Sequence, residues 1–348
     1  MSLLLKSVPA FVLFSMLAAA QPSFAAVSPD APFKLREVWK IGGDGSWDYM
    51  TVDSQAHILY VARLDRVMLV DTRTGKLITE ISSLQHVHGV AFDEEGKVGY
   101  ISDGGAGTVL VFDRATYKIL ATIPAGKNPD AVLFEPTQRR VFTFNGISHD
   151  ATVIDAATNH VIATLPMPGK PEFSVTDGSG NVFVNIENGS AILRLDAKTL
   201  TITARWPLSP GEGPSGLAID TEHHRLFSVC DNGKMAILDS QTGKLIASPT
   251  IGEGADAAVV DAAHNLIFSS NGESGTMSIL RSSAFGGYST FQTLPTKLGA
   301  RTMAVDPSTG TVYTVSASLG PKPPASPANP KRRPAIVPGS FVIFVFSR

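Results

Sequence analysis

Small, weakly polar segments that end in an acidic residue recur along the chain at a regular spacing. There are seven copies, of which Val87-His88-Gly89-Val90-Ala91-Phe92-Asp93 is typical, and they start at residues 47, 87, 129, 171, 214, 255 and 300. Successive starts lie 40 to 45 residues apart, and each copy leads through a turn into a second apolar run such as Val141-Phe142-Thr143-Phe144. The β-branched and aromatic residues of these runs favour strands and exclude helical repeats.

A second motif lies half a repeat away from the first. Five apolar strands run into Asp-x-x-Thr turns, which begin at Asp71, Asp113, Asp155, Asp196 and Asp239. An aspartate starts a tight turn by accepting backbone N–H groups, and Gly or Asn then supplies the left-handed residue before the next strand. We therefore predict that these aspartates are structural and that each motif is a hairpin.

Four short strands in each of seven repeats predict an all-β, seven-bladed β-propeller. The last repeat has candidate strands at Arg301–Val305, Thr311–Val315 and Phe341–Phe346 but lacks a fourth. An unpaired strand, Leu35–Ile41, lies near the other end of the chain. We predict that this N-terminal strand completes the last blade, which closes the ring and removes an exposed sheet edge. Residues 26–348 would then form one domain.

The repeat resembles the unit of the YVTN-repeat (YncE-like) family of seven-bladed propellers. That unit joins a strand and Asp-x-x-Thr-Gly-x-Val to Ala-Thr-Ile-Pro-Val-Gly-x-x-Pro and a Gly-Val-Ala strand, and Val111–Pro129 and Ile154–Pro171 match it closely. The resemblance covers residues 35–348, although blade six has Phe285–Tyr288 in place of the turn motif. It implies an extracytoplasmic surface or binding protein and carries over no catalytic residues.

Composition narrows the function classes. The chain has 348 residues, of which 43% are hydrophobic and 17% charged, and its formal net charge is −2. These values exclude a disordered chain and give no reason to expect a nucleic-acid binder driven by overall charge. The single cysteine, Cys230, excludes an internal disulfide and a cysteine metal site, and we expect a buried thiol. We also expect a monomer.

Residues 1–25 have the pattern of a cleavable signal peptide. Lys6 is their only charge, Val8–Ala20 is apolar, and Ser23-Phe24-Ala25 places small residues before a cut at Ala26. The apolar run is too short for an ordinary membrane span. We therefore expect a periplasmic or secreted protein without a membrane span.

Residues 319–340 are Pro-rich and basic. We predict that they form a solvated loop of blade seven that does not bind nucleic acid.

The candidate site is the mouth of the central channel, where the seven inner strands begin. The second residue of each inner-strand copy is polar, and the set reads Asp48, His88, Asp130, Glu172, Ser215, Asp256 and Arg301. We expect this ring to bind a ligand, with His86, the Asn145–Asp150 loop, Asp231-Asn232 and residues 319–340 beside it. Where the acids crowd together, at least one pKa should be raised.

Three occupants of this ring stay open. The first is a divalent cation such as Ca²⁺ or Mg²⁺, although His88 also admits a transition metal. The second is a small polar ligand or a protein partner, and the third is ordered water alone. We favour a binding or scaffold protein over an enzyme.

The alternative function is a metal-dependent, lactonase-like hydrolase. In it, Asp48, Asp130, Glu172 and Asp256 would hold the metal and His88 would act as base. Fold analogy alone supports this alternative.

Three further histidines are assigned to turns. His57, His224 and His264 each follow the acid of an inner strand by three or four residues, where other copies have Gly96 or Gly310. We therefore expect them on the face opposite the channel mouth, far from one another.

Overall fold

The computed structural model describes residues 30–93, 95–283, 286–321, 323–324 and 334–348. The predicted signal peptide, Phe285 and residues 322 and 325–333 of the Pro-rich segment lie outside the described residues. In the described part of the chain, 28 strands form seven four-stranded antiparallel sheets. The chain is therefore a seven-bladed β-propeller, as the repeat predicts, and Pro32–Arg348 form one compact unit.

The strands follow the repeat order. Strand β1 (Lys34–Lys40) precedes blade one, which contains β2 (Met50–Asp53), β3 (Ile58–Arg63), β4 (Arg66–Asp71) and β5 (Leu77–Ile81). Blade two contains β6 (Val87–Phe92), β7 (Val98–Asp103), β8 (Thr108–Asp113) and β9 (Ile119–Pro124). Blade three contains β10 (Pro129–Glu135), β11 (Arg140–Asn145), β12 (Asp150–Asp155) and β13 (His160–Pro166). Blade four contains β14 (Pro171–Thr176), β15 (Asn181–Ile186), β16 (Ala191–Asp196) and β17 (Thr201–Pro207).

The remaining blades continue this pattern. Blade five contains β18 (Pro214–Asp220), β19 (Arg225–Cys230), β20 (Lys234–Asp239) and β21 (Leu245–Ala247). Blade six contains β22 (Ala255–Asp261), β23 (Leu266–Asn271), β24 (Thr276–Ser282) and β25 (Tyr288–Pro295). Blade seven contains β26 (Met303–Asp306), β27 (Thr311–Ser316) and β28 (Val342–Ser347). The 3₁₀ helices Glu187–Gly189 and Ala262–His264 lie in connections.

Strand β1 closes the ring, as predicted. Blade seven has the order β1-β28-β27-β26, and β1 pairs with β28 from Lys34↔Ser347 to Lys40↔Val342. The inner strand β26 begins at Met303, two residues later than predicted, because Arg301 lies in a tight turn and its N–H donates to the carbonyl oxygen of Gly299 at 2.9 Å. The largest apolar core cluster joins blades six, seven and one across the closure.

A buried arginine fixes the segment that follows β1. The Arg63 guanidinium donates to the carbonyl oxygens of Asp44 and Ser46 at 2.9 and 3.1 Å, and it stacks 3.7 Å above the ring centroid of Phe341. Burial lowers the pKa of Arg63 to about 10. Backbone carbonyls thus stabilise this buried cation and hold blade one against the closing blade.

The Asp-x-x-Thr turns have the predicted hydrogen bonds. In blade three, Asp155 Oδ1 accepts the N–H groups of Ala157 and Thr158 at 3.1 and 2.9 Å and the Thr158 hydroxyl at 2.8 Å. The prediction that Gly or Asn takes the left-handed position is wrong in two blades. Tyr117 and Leu200 occupy it there, with φ of 61° and 58°. Both side chains pack on apolar clusters, which offsets the cost of that conformation.

The three histidines assigned to turns do lie in turns or at the end of a 3₁₀ helix. His57 and His224 have left-handed φ values of 58° and 54°, and His264 ends a 3₁₀ helix, with Nδ1 2.7 Å from Asp261 Oδ2.

Cys230 is buried, as expected, and burial raises its pKa to about 12. The described part of the chain holds no helix with the length and apolar character that crossing a membrane requires.

Candidate functional site

The inner strands form a closed circle around the channel. Each of β2, β6, β10, β14, β18, β22 and β26 contacts the inner strand of both neighbouring blades. Because the repeat puts equivalent residues at the same height in every blade, the second residues of the seven copies form one layer at the mouth. The structure connects most of these side chains through two groups of charged contacts.

The first group runs through blades six, seven, one, two and three. Arg301 Nη1 lies 2.6 Å from Asp256 Oδ2 and 3.7 Å from Asp48 Oδ1. The other oxygen of Asp48 lies 2.6 Å from His88 Nδ1, and the same nitrogen lies 3.5 Å from Asp130 Oδ1. Five of the seven predicted residues therefore form one continuous network.

The second group is centred on a lysine that the sequence analysis missed. The Lys170 ammonium pairs with Glu172 and lies 2.5 Å from Glu187 Oε2. Ser215, the seventh ring residue, donates its hydroxyl to the carbonyl oxygen of Ala255 at 2.9 Å and adds no charge. The signal for Lys170 was its place two residues before Glu172 in the connection into β14, a position outside the aligned segment.

His88 lies between oxygen acceptors on both sides of its ring. Nδ1 faces Asp48 and Asp130, and Nε2 lies 3.2 Å from Asn128 Oδ1. Burial lowers the pKa of His88, but the hydrogen bond to Asp48 and the charges of Asp130 and Asp48 outweigh it and raise the pKa to about 9. The His86 ring packs edge-on against His88 with centroids 4.7 Å apart. Burial and the His88 charge lower the pKa of His86.

Two carboxyl groups of the ring, those of Asp130 and Glu172, have raised pKa values, in the predicted direction. Burial, more than repulsion between acids, raises the pKa of Asp130 to about 6, while His88 and Lys170 oppose the shift. Burial also raises the pKa of Glu172, and the Asp130 charge adds to this effect against the opposing ammonium of Lys170. The resident cations therefore do not fully compensate these acids.

An aromatic pair lies in the channel next to the ring. The Tyr49 and Phe173 rings meet with centroids 4.8 Å apart and planes at 70°. Both are the third residue of an inner-strand copy, in blades one and four, so they reach toward each other from opposite sides of the channel. The other copies have small residues there, namely Gly89, Ala131, Gly216, Ala257 and Thr302. We refer to the polar ring together with this aromatic pair, its floor, as the cup.

The Tyr49 hydroxyl lies among the ring acids. Burial raises the pKa of Tyr49 well above its usual value, and the charges of Asp130, Glu172, Asp48 and Asp256 raise it further. Tyr49 also donates a hydrogen bond to Asp130. The sequence signal for this floor was two large rings at a position that is otherwise small.

Glycines make room for the ring side chains. A Cβ on Gly104 would lie 2.6 Å from His88 Nε2, and one on Gly272 would lie 2.7 Å from Arg301 Cβ. Both glycines directly follow the second strand of their blade, at the end that faces the mouth. The ring residues thus pack against bare backbone, which sets their position.

The neighbouring segments lie in connections at the ends of the second strands. In the Asn145–Asp150 loop, Asn145 Nδ2 donates to Asp150 Oδ1 at 2.5 Å. Asn232 Nδ2 donates to the carbonyl oxygen of Pro210 at 2.8 Å, which ties Asp231-Asn232 to the connection into blade five. In the segment 319–340, Leu319 pairs with Ile336, whereas residues 322 and 325–333 lie outside the described residues.

The four carboxylates of the hydrolase hypothesis do not converge on one point. Arg301 pairs with Asp256 and Lys170 pairs with Glu172, which engages both acids elsewhere. Among the described residues, one group offers three metal-ligating atoms within 4.8 Å of one another, and it consists of Asp48, His88 and Asp130. The ligand atoms of this subset lie close enough together for one ion to be considered there.

Comparisons with known proteins show the fold and no closer relationship. No protein-family model matches the chain, and no curated protein is similar to it in sequence. Solved propellers do align with it. U3-55K has a TM-score of 0.73 at 11% identity and covers 90% of this chain and 98% of its own. The RRP9 WD40 repeats have a TM-score of 0.74 at 11% identity, covering 90% and 97%.

An enzyme is among the similar structures. Hydrazine synthase of Kuenenia stuttgartiensis aligns with a TM-score of 0.66 at 15% identity, covering 76% of this chain and 91% of its own. Identities this low indicate a shared architecture alone, since unrelated functions use the same propeller. The side chains of the cup are therefore the basis for a functional proposal.

Proposed function

We propose that the chain is an exported, YVTN-like propeller that binds a small, positively charged polar ligand in the cup at the channel mouth. The repeat motifs support the family, and residues 1–25 support export. The cup supports binding because the Tyr49–Phe173 pair gives it a floor and the ring gives it charged walls. Small-molecule sites commonly combine aromatic surface with a few fixed polar groups.

The burial of two acids favours a cationic ligand. Asp130 and Glu172 belong to the ring, and the positive charges of His88 and Lys170 only partly offset the effect of burial on their pKa values. Burial raises the pKa of Asp130 and of Glu172, so their charged forms lack full compensation. A bound cation would supply it.

A triple variant tests the proposal. In Asp48→Asn, Asp130→Asn, Arg301→Gln, the cup keeps its shape and loses its charge pattern. The probes are Mg²⁺, Ca²⁺, Mn²⁺, Zn²⁺, putrescine and arginine, each titrated by calorimetry into the wild type and the variant. We expect at least one probe to bind the wild type with 1:1 stoichiometry and to bind the variant at least 30-fold more weakly.

The control removes charges from the opposite face. Glu95 and Arg139 form an exposed pair at 3.1 Å, and Glu95→Gln, Arg139→Gln should bind every probe as the wild type does. Circular dichroism checks that both variants fold. Unchanged affinity in the triple variant, or no binding of any probe to the wild type, would reject the cup as a cation site.

The hydrolase is the second candidate, and it depends on the convergence of Asp48, His88 and Asp130. A metal held there could polarise a carbonyl and activate water. Its test is turnover of a simple γ-lactone by the full chain with each metal probe added. Hydrolysis that disappears in Asp48→Asn and persists in Glu95→Gln would support it, and no turnover above the metal-only rate would reject it.

A further inference from the structure

Three side chains of the ring, from neighbouring blades, lie close together. Asp48, His88 and Asp130 each offer one metal-ligating atom, and these three atoms lie within 4.8 Å of one another. His88 Nδ1 is 2.6 Å from Asp48 Oδ2 and 3.5 Å from Asp130 Oδ1. Ligands of a tetrahedral ion with bonds of about 2.1 Å lie roughly 3.4 Å apart, so a small rotation of Asp48 would admit an ion.

We propose that this group, hereafter the Asp-His-Asp site, binds a divalent transition metal ion such as Zn²⁺ or Mn²⁺ through one nitrogen and two oxygen atoms. The inference rests on the proposed function, since it names the class of cation that the cup takes. It also revises the sequence expectation. Ca²⁺ and Mg²⁺ prefer oxygen ligands, whereas an imidazole nitrogen suits transition metals.

Each of the three ligands has a supporting partner of the kind that metal sites use. The second nitrogen of His88, Nε2, lies 3.2 Å from Asn128 Oδ1, an acceptor that keeps a proton on Nε2 and leaves Nδ1 for the metal. Asp48 Oδ1 lies 3.7 Å from the Arg301 guanidinium. Tyr49 donates a hydrogen bond to Asp130. Such outer contacts orient the ligands and tune their basicity.

Burial and access also fit an ion. The His88 side chain is 7% exposed and that of Asp130 11%, so both are fixed, while Asp48, at 21%, lies closer to the opening. Three protein ligands leave a fourth position for water from the mouth. When the ion binds Nδ1, the proton on that nitrogen is released to solvent, and no other bond changes.

The chain itself offers matched controls. His264 and His223 each lie within 2.8 Å of one aspartate, Asp261 or Asp220, so they reproduce the Asp48–His88 pair without a second carboxylate. Their side chains are 44% and 52% exposed. If a His–Asp pair were enough to capture a metal, these positions would do so too.

The test uses the full chain after treatment with EDTA and gel filtration. Zn²⁺ and Mn²⁺ are titrated by calorimetry, and Co²⁺ serves as an optical probe because its visible absorption bands report the ligand set. We expect one ion per chain, a Co²⁺ spectrum of mixed nitrogen and oxygen ligation, and at least 100-fold weaker Zn²⁺ binding in His88→Asn and in Asp130→Asn. Asn128→Ala should weaken binding 10- to 100-fold while leaving the stoichiometry unchanged.

His264→Asn is expected to bind as the wild type does. Binding that survives both His88→Asn and Asp130→Asn, or that is lost in His264→Asn, would overturn the site. The absence of saturable binding by any of the three metals would also overturn the site.

If no metal binds but putrescine or arginine binds the wild type and not the triple variant, the proposed function stands and this inference falls. If every probe fails, both fall. His88→Gln gives a second variant should His88→Asn not fold.

Discussion

Single aspartates determine the hairpins of this propeller. In blade one, Asp71 Oδ1 accepts the N–H groups of Arg73 and Thr74, each at 2.9 Å. The side-chain hydrogen bond from Arg73 is the largest cause that lowers the pKa of Asp71, to about 2. The pKa values of Asp113, Asp155, Asp196 and Asp239 are lowered as well. The charged carboxylate is therefore the form that stabilises each turn.

This gives a pH-dependent prediction. A carboxyl whose folded pKa is lowered contributes stability above its ordinary value near 3.8, and loses that contribution as the pH falls toward about 2. Asp71→Asn keeps an acceptor oxygen without titrating. We expect the variant to be less stable than the wild type at pH 7, and the difference to shrink below about pH 4 and to be mostly lost at pH 2, measured by urea unfolding.

The control for that experiment is Glu222→Gln, which neutralises an exposed acid of another turn. Its difference from the wild type should stay within about 0.5 kcal/mol across the range. A difference between Asp71→Asn and the wild type that is the same at pH 7 and pH 2 would contradict the charge argument.

The roles of residues that recur in every repeat could be predicted from the sequence. For residues that differ between repeats, the sequence predicted their position in the fold but not the side chains that they contact. The ring residue Asp256 could be placed at the mouth by alignment, whereas its pairing with Arg301 depends on side-chain reach between blades. The role of Lys170 was not predicted because this residue lies outside the aligned segment. The contact between Tyr49 and Phe173 was not predicted because it joins residues of blades one and four, and no local sequence pattern encodes such a contact.

At the scale of elements, the closing strand carries a contact that recurs elsewhere. Trp39 of β1 covers Gly75 in the turn of blade one, and Trp206 of β17 covers Gly243 in the turn of blade five. Both glycines are left-handed, with φ of 67° and 71°, and a side chain on either would collide with the indole. Each tryptophan thus joins the outer strand of one blade to the next blade.

The two tryptophans allow the effect of ring closure on stability to be distinguished from the effect of indole packing. Trp39→Ala and Trp206→Ala each remove one indole from an equivalent contact, at a cost of about 3 kcal/mol in the free energy of unfolding. We expect only Trp39→Ala to increase hydrogen exchange along β28, because Trp39 lies in the strand that pairs with β28, whereas Trp206 lies in blade four. The measurement is urea unfolding together with exchange mass spectrometry. Equal protection of β28 in both variants would contradict this.

Strand order was predictable because turn motifs and apolar runs alternate with a fixed period. Ends of strands were less so. β26 begins two residues late because Arg301 is taken into a turn that directs its guanidinium to Asp256. The hydrogen bonds of the chain near the cup, rather than the local apolar pattern, decide where that strand starts.

For the molecule as a whole, closure replaces an edge with a paired sheet. Without β1, the outermost strand of blade seven would be β28, whose sequence Val342-Ile343-Phe344-Val345-Phe346-Ser347 is strongly apolar. Exposed edges of this kind pair with other chains.

A truncation series tests this role of β1. A protein that starts at Gly42 should self-associate, whereas one that starts at Pro32 should stay a monomer in size-exclusion chromatography with light scattering. A monomeric, folded protein that lacks β1 would show that the edge is protected in another way.

The aromatic floor has a consequence for the movement of solutes through the central channel. Because the Tyr49 and Phe173 rings meet at 4.8 Å across the axis, they narrow the channel below the ring. A solute larger than water could cross between the two faces of the propeller at this point only if one ring rotated away. We therefore expect a ligand bound at the ring to enter and leave through the mouth.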